Sequence, residues 1–384
     1  MAVAMGTGGW LAWHLIARSP RPEPTPAPAT APSSPPPVEA HTPPAHGGTR
    51  PSGRSKAACV APRQFEPAPK PFIVVEESQG DQRWYLRCPR PMQQVDGTAA
   101  LVRFQDGHGR TGLGVQPVGG RGEPSGLRSV LELEDLAAVN AEVLGCATLE
   151  PSAGPRAWVS VQRPDRSRVI HALRWQDGQL ELDGLTPALE ATEPWMKDRL
   201  WEPAVFRHGD TWLMYLRCGS RTHADLCVAS STDGDHWSME PHRLLDVEAR
   251  KNEVYGAPWA SSDGERVHLW FSHKRYETDD DGAVINVESE IHHLSSTDPL
   301  SFELHYRSVS LAPGFADWAE TMVDTPTVMT IDGRTAMLYR GGASAKDGVI
   351  GVAWGDCSSK QHITPELNTK SLKSTRREQN AQGE

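Results

Sequence analysis

A short pattern of β-strands and turns occurs five times in this 384-residue chain, and the repetition strongly limits the possible folds. Its clearest copy, residues 201–237, has three strand-like segments and closes with the turn Ser231-Thr232-Asp233-Gly234. The second strand of that copy recurs at intervals of roughly 55–70 residues, a little longer than those of typical propeller repeats. The five matching segments are residues 84–88, 157–161, 212–217, 268–272 and 336–340. Repeats of about four short strands bury their faces by stacking radially. The sequence therefore predicts an all-β fold, a five-bladed β-propeller.

Composition divides the chain into four segments. We assign the propeller to residues 59–357, after a Pro-rich, unstructured linker at 18–58, and we expect a disordered polar tail at 358–384. The apolar segment 1–17 is shorter than the ~20 residues that cross a bilayer comfortably and lacks the basic start of a signal peptide. An export signal or membrane anchor is favoured because a Pro-rich spacer follows it; the alternative is an apolar terminus with no targeting role. We expect a secreted, periplasmic or membrane-anchored protein with an extracytoplasmic domain.

Charge and cysteine content narrow the function classes. The formal net charge of −10 and the lack of a basic stretch argue against nucleic-acid binding. The six cysteines show no metal-binding spacing. Cys218 and Cys227 end one strand and begin the next, so they form either a hairpin disulfide or two buried thiols.

Polar residues at the starts of the blades are the first place to look for a site. The innermost strand of a propeller blade lines the central channel, and we expect these strands to begin within residues 70–75, 145–149, 202–206, 256–259 and 324–328. Two of the five openings carry an acid beside a proline, namely Glu202 and Asp324. Glu253 and Glu320 lie a few residues before the last two openings.

The clearest copies resemble the five-bladed propeller glycoside hydrolases of families 43, 62, 32 and 130. The matching residues are Trp201-Glu202-Pro203, Trp212 to Tyr215, Ala229 to Gly234 with Trp237, and Asp324-Thr325-Pro326 with Met337 to Tyr339. The resemblance is good over residues 200–357 and weak over 60–190. It implies cleavage of a glycosidic bond by paired carboxylates, one of which donates a proton while the other attacks or activates water.

Carried over by motif, Glu202 and Asp324 are the catalytic candidates, and Glu253 is the third. The arabinanase/xylosidase group opens its first blade with Asp-Pro, where this chain reads Lys70-Pro71. Either other loops supply the missing acid, or the propeller binds glycan or protein without cleaving it. A sialidase-type enzyme, which needs an arginine cluster, is a third hypothesis.

The predicted partner is a carbohydrate, without a cofactor. Candidate substrate-binding residues are Trp259, Arg217, Arg340, His273 and Glu320. Arg87, Arg217 and Arg340 end strands that we take as equivalent, where they either hold a substrate carboxylate or form structural salt bridges. His292 and His293 alternate faces of a strand, so we expect no metal site. The turns at Asp233 and Asp298 are expected to be structural, with Trp237 and Phe302 packing between sheets.

Overall fold

A computed structural model describes the backbone of residues 61–70, 72, 85–94, 97–105, 110–118, 127–150, 156–279, 283–331, 333–342 and 349–355. All of them belong to one unit, Ala57–Glu384. The predicted N-terminal apolar segment, Pro-rich linker and C-terminal tail lie outside the described residues, as do Cys59 and Cys357.

Within these residues, twenty strands form successive antiparallel groups of four. The first group is β2 (Tyr85–Gln94), β3 (Gly97–Gln105), β4 (Thr111–Val118) and β5 (Arg128–Glu132). The second is β6 (Val143–Glu150), β7 (Arg156–Gln162), β8 (Arg168–Gln176) and β9 (Gln179–Leu182). The third is β10 (Leu200–His208), β11 (Thr211–Gly219), β12 (Ala224–Ser231) and β13 (Ser238–Arg243). The fourth is β14 (Glu253–Ser262), β15 (Val267–Thr278), β16 (Val284–Ser296) and β17 (Ser308–Leu311). The fifth joins β18 (Met322–Ile331), β19 (Arg334–Gly342) and β20 (Val349–Gly355) to β1 (Phe65–Pro67).

The fifth group takes its outer strand from the other end of the chain. In β1, Glu66 pairs with Trp354, and the amide of Phe72 donates to the carbonyl of Ile350. The segment predicted to open the first repeat therefore continues along the fifth group, and Tyr85 to Cys88 lies in the first strand of its group instead of the second. The sequence interpretation was wrong there because it counted a full set of strands from residue 70, whereas the first strands of the chain complete the last sheet.

Each group begins with a strand whose ladder is interrupted at two consecutive residues. In four of the five, the second interrupted residue is a proline, and the residue before it has a positive φ of 47–53°. These four dipeptides are Cys88-Pro89, Glu202-Pro203, Ala257-Pro258 and Thr325-Pro326. In β6 the interruption falls at Gly145-Cys146. β-Bulges of this kind bend a strand and change the direction of a side chain.

Apolar clusters join each group to the next. For example, Trp158 of the second group packs with Met214 of the third, and Tyr215 of the third packs with Phe271 of the fourth. Leu338 of the fifth group shares a cluster with Val102 of the first. Burial of a side chain of this size contributes about 1.5–3 kcal/mol. The packing between groups thus supplies much of the core.

Two turns have the structural role expected for them. The Asp233 carboxylate accepts hydrogen bonds from the amides of Asp235 and His236, at 2.8 and 2.9 Å. The following Trp237 meets Trp158 edge-on, with ring centroids 5.8 Å apart. The turn therefore closes a hairpin and places an aromatic ring between two sheets.

Two disulfides connect the described cysteines. Cys218–Cys227 closes a hairpin within the third group, which is one of the two alternatives left open by the sequence. Cys88–Cys146 joins the interrupted segments of the first and second groups and was not anticipated. Helical structure in the described part is limited to short 3₁₀ segments: Leu133–Val139, Pro194–Met196, Leu304–Tyr306 and Asp317–Ala319. None of the described helical segments has the length and apolar character to span a membrane.

Candidate functional site

A cavity of about 410 Å³ lies where the first and second strands of the groups converge. This volume falls within the range of small-molecule sites. All five groups contribute to its wall. The lining residues are Arg87, Arg103, Leu144, Gly145, Cys146, Ser160, Gln162, Arg168, Arg199, Trp201, Glu202, Arg217, Arg221, Lys274, Tyr276, Val287, Met322, Asp324 and Arg340.

Glu202 occupies the positive-φ position of the interruption in β10, with φ of 53°. Its Oε2 accepts a 2.7 Å hydrogen bond from the amide of Ala257, in the equivalent interruption of the next group. Its Oε1 lies 3.8 Å from the Arg217 guanidinium. Burial raises the pKa of Glu202, but Arg217, Lys274 and the amide of Ala257 outweigh burial and bring that pKa below its ordinary value. Glu202 is therefore a carboxylate at neutral pH.

Asp324 is fully buried and is the last ladder residue before the interruption in β18, where it pairs with Arg340. Its Oδ2 accepts hydrogen bonds from Lys274 Nζ at 2.6 Å and from Arg340 Nη1 at 3.2 Å. Burial opposes ionisation of this carboxyl, but Lys274, Arg340 and Arg87 together hold its pKa well below the ordinary value. Asp324 is therefore also ionised.

The register shows that the two carboxylates are not equivalent. Glu202 lies at the same position of its strand as Thr325, whereas Asp324 matches Trp201. Both side chains nevertheless reach one cavity, and their negative charges act on each other.

Three arginines occupy one equivalent position of the second strands. Arg103, Arg217 and Arg340 each pair with the last ladder residue before the interruption, and all three line the cavity. The sequence comparison put Arg87 in this series. The structure puts Arg103 there instead, because residue 87 lies on the first strand of its group, directly opposite Arg103. Arg87 still lines the cavity.

Arg168 is the cation most affected by its surroundings. Its guanidinium stacks on the Trp201 ring, 3.3 Å from the ring centroid, and donates hydrogen bonds to Gln162. Burial lowers its pKa to about 9, and the nearby charge of Arg217 lowers it further than Glu202 restores it. Arg168 remains protonated at neutral pH, at an electrostatic cost that a bound anion would reduce.

The charge of the described lining is strongly positive, with eight cationic side chains and two carboxylates. The formal charge of the whole chain is −10, so the cavity differs in sign from the molecule around it. Clefts lined by charge of one sign concentrate ligands of the opposite sign. The site is therefore suited to hold an anion.

Four of the predicted site residues lie outside this cavity wall. Glu253 and His273 approach one another at 3.9 Å, elsewhere in the fourth group. Trp259 packs beneath the Arg90 guanidinium, 5.3 Å from the ring centroid. Glu320 is exposed, at the end of a short 3₁₀ turn. The structure brings together Glu202, Asp324, Arg217 and Arg340 from the predicted set.

Sequence reasoning missed several residues of the wall. Lys274 was considered, and it reaches Asp324, whereas the adjacent His273 does not reach the cavity. Arg103, Arg168 and Arg199 were not singled out. Their common signal is position, since each lies near a strand end, but strand ends carry arginine so often that position alone does not identify a site.

The arrangement is equipped for binding more clearly than for proton transfer. A general acid must be protonated near its working pH. Neither carboxylate on the described wall meets this condition, because the neighbouring cations keep both ionised. The cations and the Trp201 ring, in contrast, offer charge and a flat apolar surface.

Solved structures with a similar fold are glycoside hydrolases. A protein in complex with RGII has a TM-score of 0.56 at 12% identity, covering 79% of this chain and 94% of the other. A family 130 structure, from work on enzymes that target β-1,2-mannosidic linkages in Candida mannan, has a TM-score of 0.54 at 12% identity, covering 80% and 97%. The GH43_1 enzyme from Xanthomonas citri has a TM-score of 0.52 at 14% identity, covering 79% and 98%. The sequence matches no family model and none of the curated proteins. At such low identity the likeness establishes the fold alone, that of the propeller glycosidases.

Proposed function

We propose that this chain is an exported carbohydrate-binding propeller whose central pocket holds an acidic sugar, such as a uronic acid residue of a glycan, without hydrolysing it. The observation that carries the proposal is the charge of the pocket wall, eight cations against two carboxylates. Arginine guanidinium groups bind carboxylates with paired hydrogen bonds. One structure of similar fold is a complex with the RGII oligosaccharide.

We further propose that the five groups of strands are the blades of a closed ring. This is supported by the apolar cluster that joins the fifth group to the first, and by the strand β1, which completes the last sheet. In such a ring the interrupted first strands surround the axis, so that the cavity is the central pocket of the propeller.

Export is supported by the disulfides. Cys88–Cys146 and Cys218–Cys227 would persist in an oxidising compartment and would be reduced in most cytosols. The apolar segment 1–17 is proposed as the export signal or membrane anchor.

Absence of hydrolysis follows from the state of the two acids. Glu202 and Asp324 are each held as carboxylates by a cation, so neither supplies the proton that a leaving glycosidic oxygen requires. A bound uronate would change this balance only partly, because it would share the cations with the two acids.

A glycoside hydrolase is the second candidate. The observation that favours it is the presence of both predicted catalytic carboxylates, Glu202 and Asp324, in one cavity. An ionised Glu202 would act there as nucleophile or base, with the proton supplied by another group.

One set of measurements separates these functions. We would titrate the protein with galacturonate and glucuronate oligosaccharides, with a sulfated oligosaccharide, and with neutral arabino-, xylo- and manno-oligosaccharides, and follow reducing-sugar release in parallel. We expect binding of the uronates that weakens with salt, little binding of neutral sugars, and no release. Preference for neutral sugars would refute the acidic-ligand proposal, and release of reducing sugar that depends on Glu202 would establish the second candidate.

Variants locate the binding in the cavity. Arg168→Gln should weaken uronate binding about tenfold or more, because a charged hydrogen bond contributes about 1.5–3 kcal/mol. The matched control is Arg207→Gln, since Arg207 is half exposed and pairs only loosely with Asp210, at 3.5 Å. Glu202→Gln removes a negative charge and keeps an acceptor for the amide of Ala257, so it should strengthen uronate binding. Weaker uronate binding by Glu202→Gln would contradict this electrostatic reasoning.

A further inference from the structure

A cluster of histidine and carboxylate side chains lies in the fourth group, outside the pocket wall. His273 of β15 pairs in the ladder with Glu290 of β16, and His292 follows two residues later. Alternate residues of a strand share a face, so the three side chains project to the same side of the sheet. Lys274 projects to the other side and reaches the pocket. The sequence analysis compared His292 only with His293 and overlooked this combination.

The atoms of the cluster are spaced as metal ligands. His292 Nε2 lies 3.0 Å from Glu290 Oε1, and His273 Nδ1 lies 3.8 Å from the same oxygen. One ligand atom from each of the three residues falls within 4.8 Å of the others. Ligands in a tetrahedral zinc site, with bonds of about 2.0–2.1 Å, lie about 3.4 Å apart. The observed separations bracket that value.

A fourth ligand is close by. Glu253 Oε1 lies 3.9 Å from His273 Nε2, at the start of the neighbouring strand β14. Its side chain is mostly buried, at 20% exposure. Two imidazoles and two carboxylates make a set of nitrogen and oxygen donors that zinc accepts.

His273 lacks the hydrogen bonds that a buried imidazole needs. It is 6% exposed, and neither ring nitrogen has a hydrogen-bond partner in the described part of the chain. His292 is 2% exposed and its Nδ1 is likewise without one. A buried polar group left unsatisfied is costly, and structures that retain one usually have a reason. Burial, with the charges of His292 and Arg275, lowers the pKa of His273 to about 3, so its ring is neutral and able to coordinate a cation.

We propose that His273, Glu290 and His292, with Glu253 as fourth ligand, form a structural zinc site in the fourth group, independent of the pocket. A metal here would join β14, β15 and β16 beside the apolar cluster shared with the third group. A structural role is indicated because the ligand set is complete without water and His273 is covered by Tyr255, with ring centroids 5.0 Å apart.

A cation already competes for the cluster. Arg275 Nη2 lies 2.9 Å from Glu290 Oε1, and the charge of Arg307 also acts on His273. Zinc must displace or share the Arg275 contact. Arg275→Gln should therefore strengthen zinc binding, an effect that a purely structural role of the histidines would not produce.

The test is calorimetric titration of the chelator-treated full chain with ZnCl₂. We expect one zinc ion per chain, at least tenfold weaker binding in His273→Gln and in His292→Gln, and a zinc-dependent rise in Tm that disappears in both variants. Titration with Co²⁺ should give the visible absorption of a tetrahedral site in the wild-type chain and not in Glu290→Gln. Circular dichroism in chelator verifies that each variant is folded, and Glu290→Gln replaces any histidine variant that is not.

The matched control is His223→Gln. His223 belongs to the other described cluster of this type, with Asp225 and Glu248, but Asp225 is already bonded to Arg243 and to the amide of Ala249. This variant should bind zinc like the wild type. Loss of zinc binding in His223→Gln, unchanged binding in both His273→Gln and His292→Gln, or absence of stoichiometric binding by the wild-type protein would each overturn the proposal.

Discussion

The ion pair between Lys274 and Asp324 permits a quantitative prediction about the pocket. Lys274→Met keeps most of the alkyl chain and removes its charge. Loss of one partner from a buried ion pair costs about 3–5 kcal/mol, because the other charge stays buried. Arg340 Nη1 remains 3.2 Å from the same carboxylate oxygen and offsets part of this loss. We therefore expect Lys274→Met to lower the free energy of unfolding by about 2–4 kcal/mol.

The assay is urea denaturation followed by the fluorescence of the 13 tryptophans. Arg174→Met is the matched control, since Arg174 is 55% exposed and pairs with Asp183 at 3.1 Å. Exposed pairs of this kind contribute about 0–1 kcal/mol. In a double-mutant cycle with Asp324→Asn, the combined loss should fall short of the sum of the single losses by at least about 1 kcal/mol. A loss for Lys274→Met no larger than that for Arg174→Met, or strict additivity in the cycle, would refute the reasoning.

The same pair predicts a pH dependence. The pKa of Asp324 is lowered in the folded protein, so its ionisation stabilises the fold above the unfolded pKa of about 3.9. That contribution is lost as the pH falls through the folded pKa. In Lys274→Met the folded pKa rises towards its ordinary value, so the loss begins at higher pH. The difference in stability between wild type and variant should therefore be greatest near neutrality and should narrow below about pH 4.

Two further predictions concern the interrupted strands. Replacing the cysteines of Cys88–Cys146 with alanine should destabilise the fold more than the same change at Cys218–Cys227, by about 4 against about 3 kcal/mol in the chain-entropy estimate, because 58 residues separate the first pair and 9 the second; equal midpoints in urea would contradict that ranking. Gly256→Ala should reduce both stability and uronate binding, because its Cβ would come within 2.9 Å of Arg217 and 3.0 Å of Glu202; unchanged uronate affinity would show that this close approach does not position the pair.

The sequence revealed the architecture because strands repeat in composition as well as in spacing. The predicted second strands at 157–161, 212–217, 268–272 and 336–340 all lie in second strands of their groups. The first repeat was misassigned because residues 84–88 resemble those segments in composition, and composition does not report which neighbour a strand pairs with. That information depends on β1 reaching β20 across almost the whole chain, a contact that no local pattern encodes.

The site was predicted less well, for an electrostatic reason. Glu202 and Asp324 were found by motif, and both line the cavity. Their ionisation state depends on Arg217 and Lys274, which come from different strands and are brought close only by register. A motif identifies a carboxyl group, but its pKa is set by the charges packed around it. Family resemblance alone would therefore have made Glu202 a proton donor.

The interrupted strands explain how the same backbone feature can serve two chemistries. Cys88, Glu202, Ala257 and Thr325 share one position and a positive φ, and each precedes a proline. Such backbone is strained for residues other than glycine and tends to persist where a site requires it. At one copy the position carries a pocket carboxylate, and at another it carries a cysteine bonded to Cys146 on the cavity wall. A disulfide can neither donate nor accept the proton that glycosidic cleavage requires. The repeat thus supplies several equivalent positions around one pocket, and the residue placed at each decides whether that pocket can cleave a sugar or only hold one.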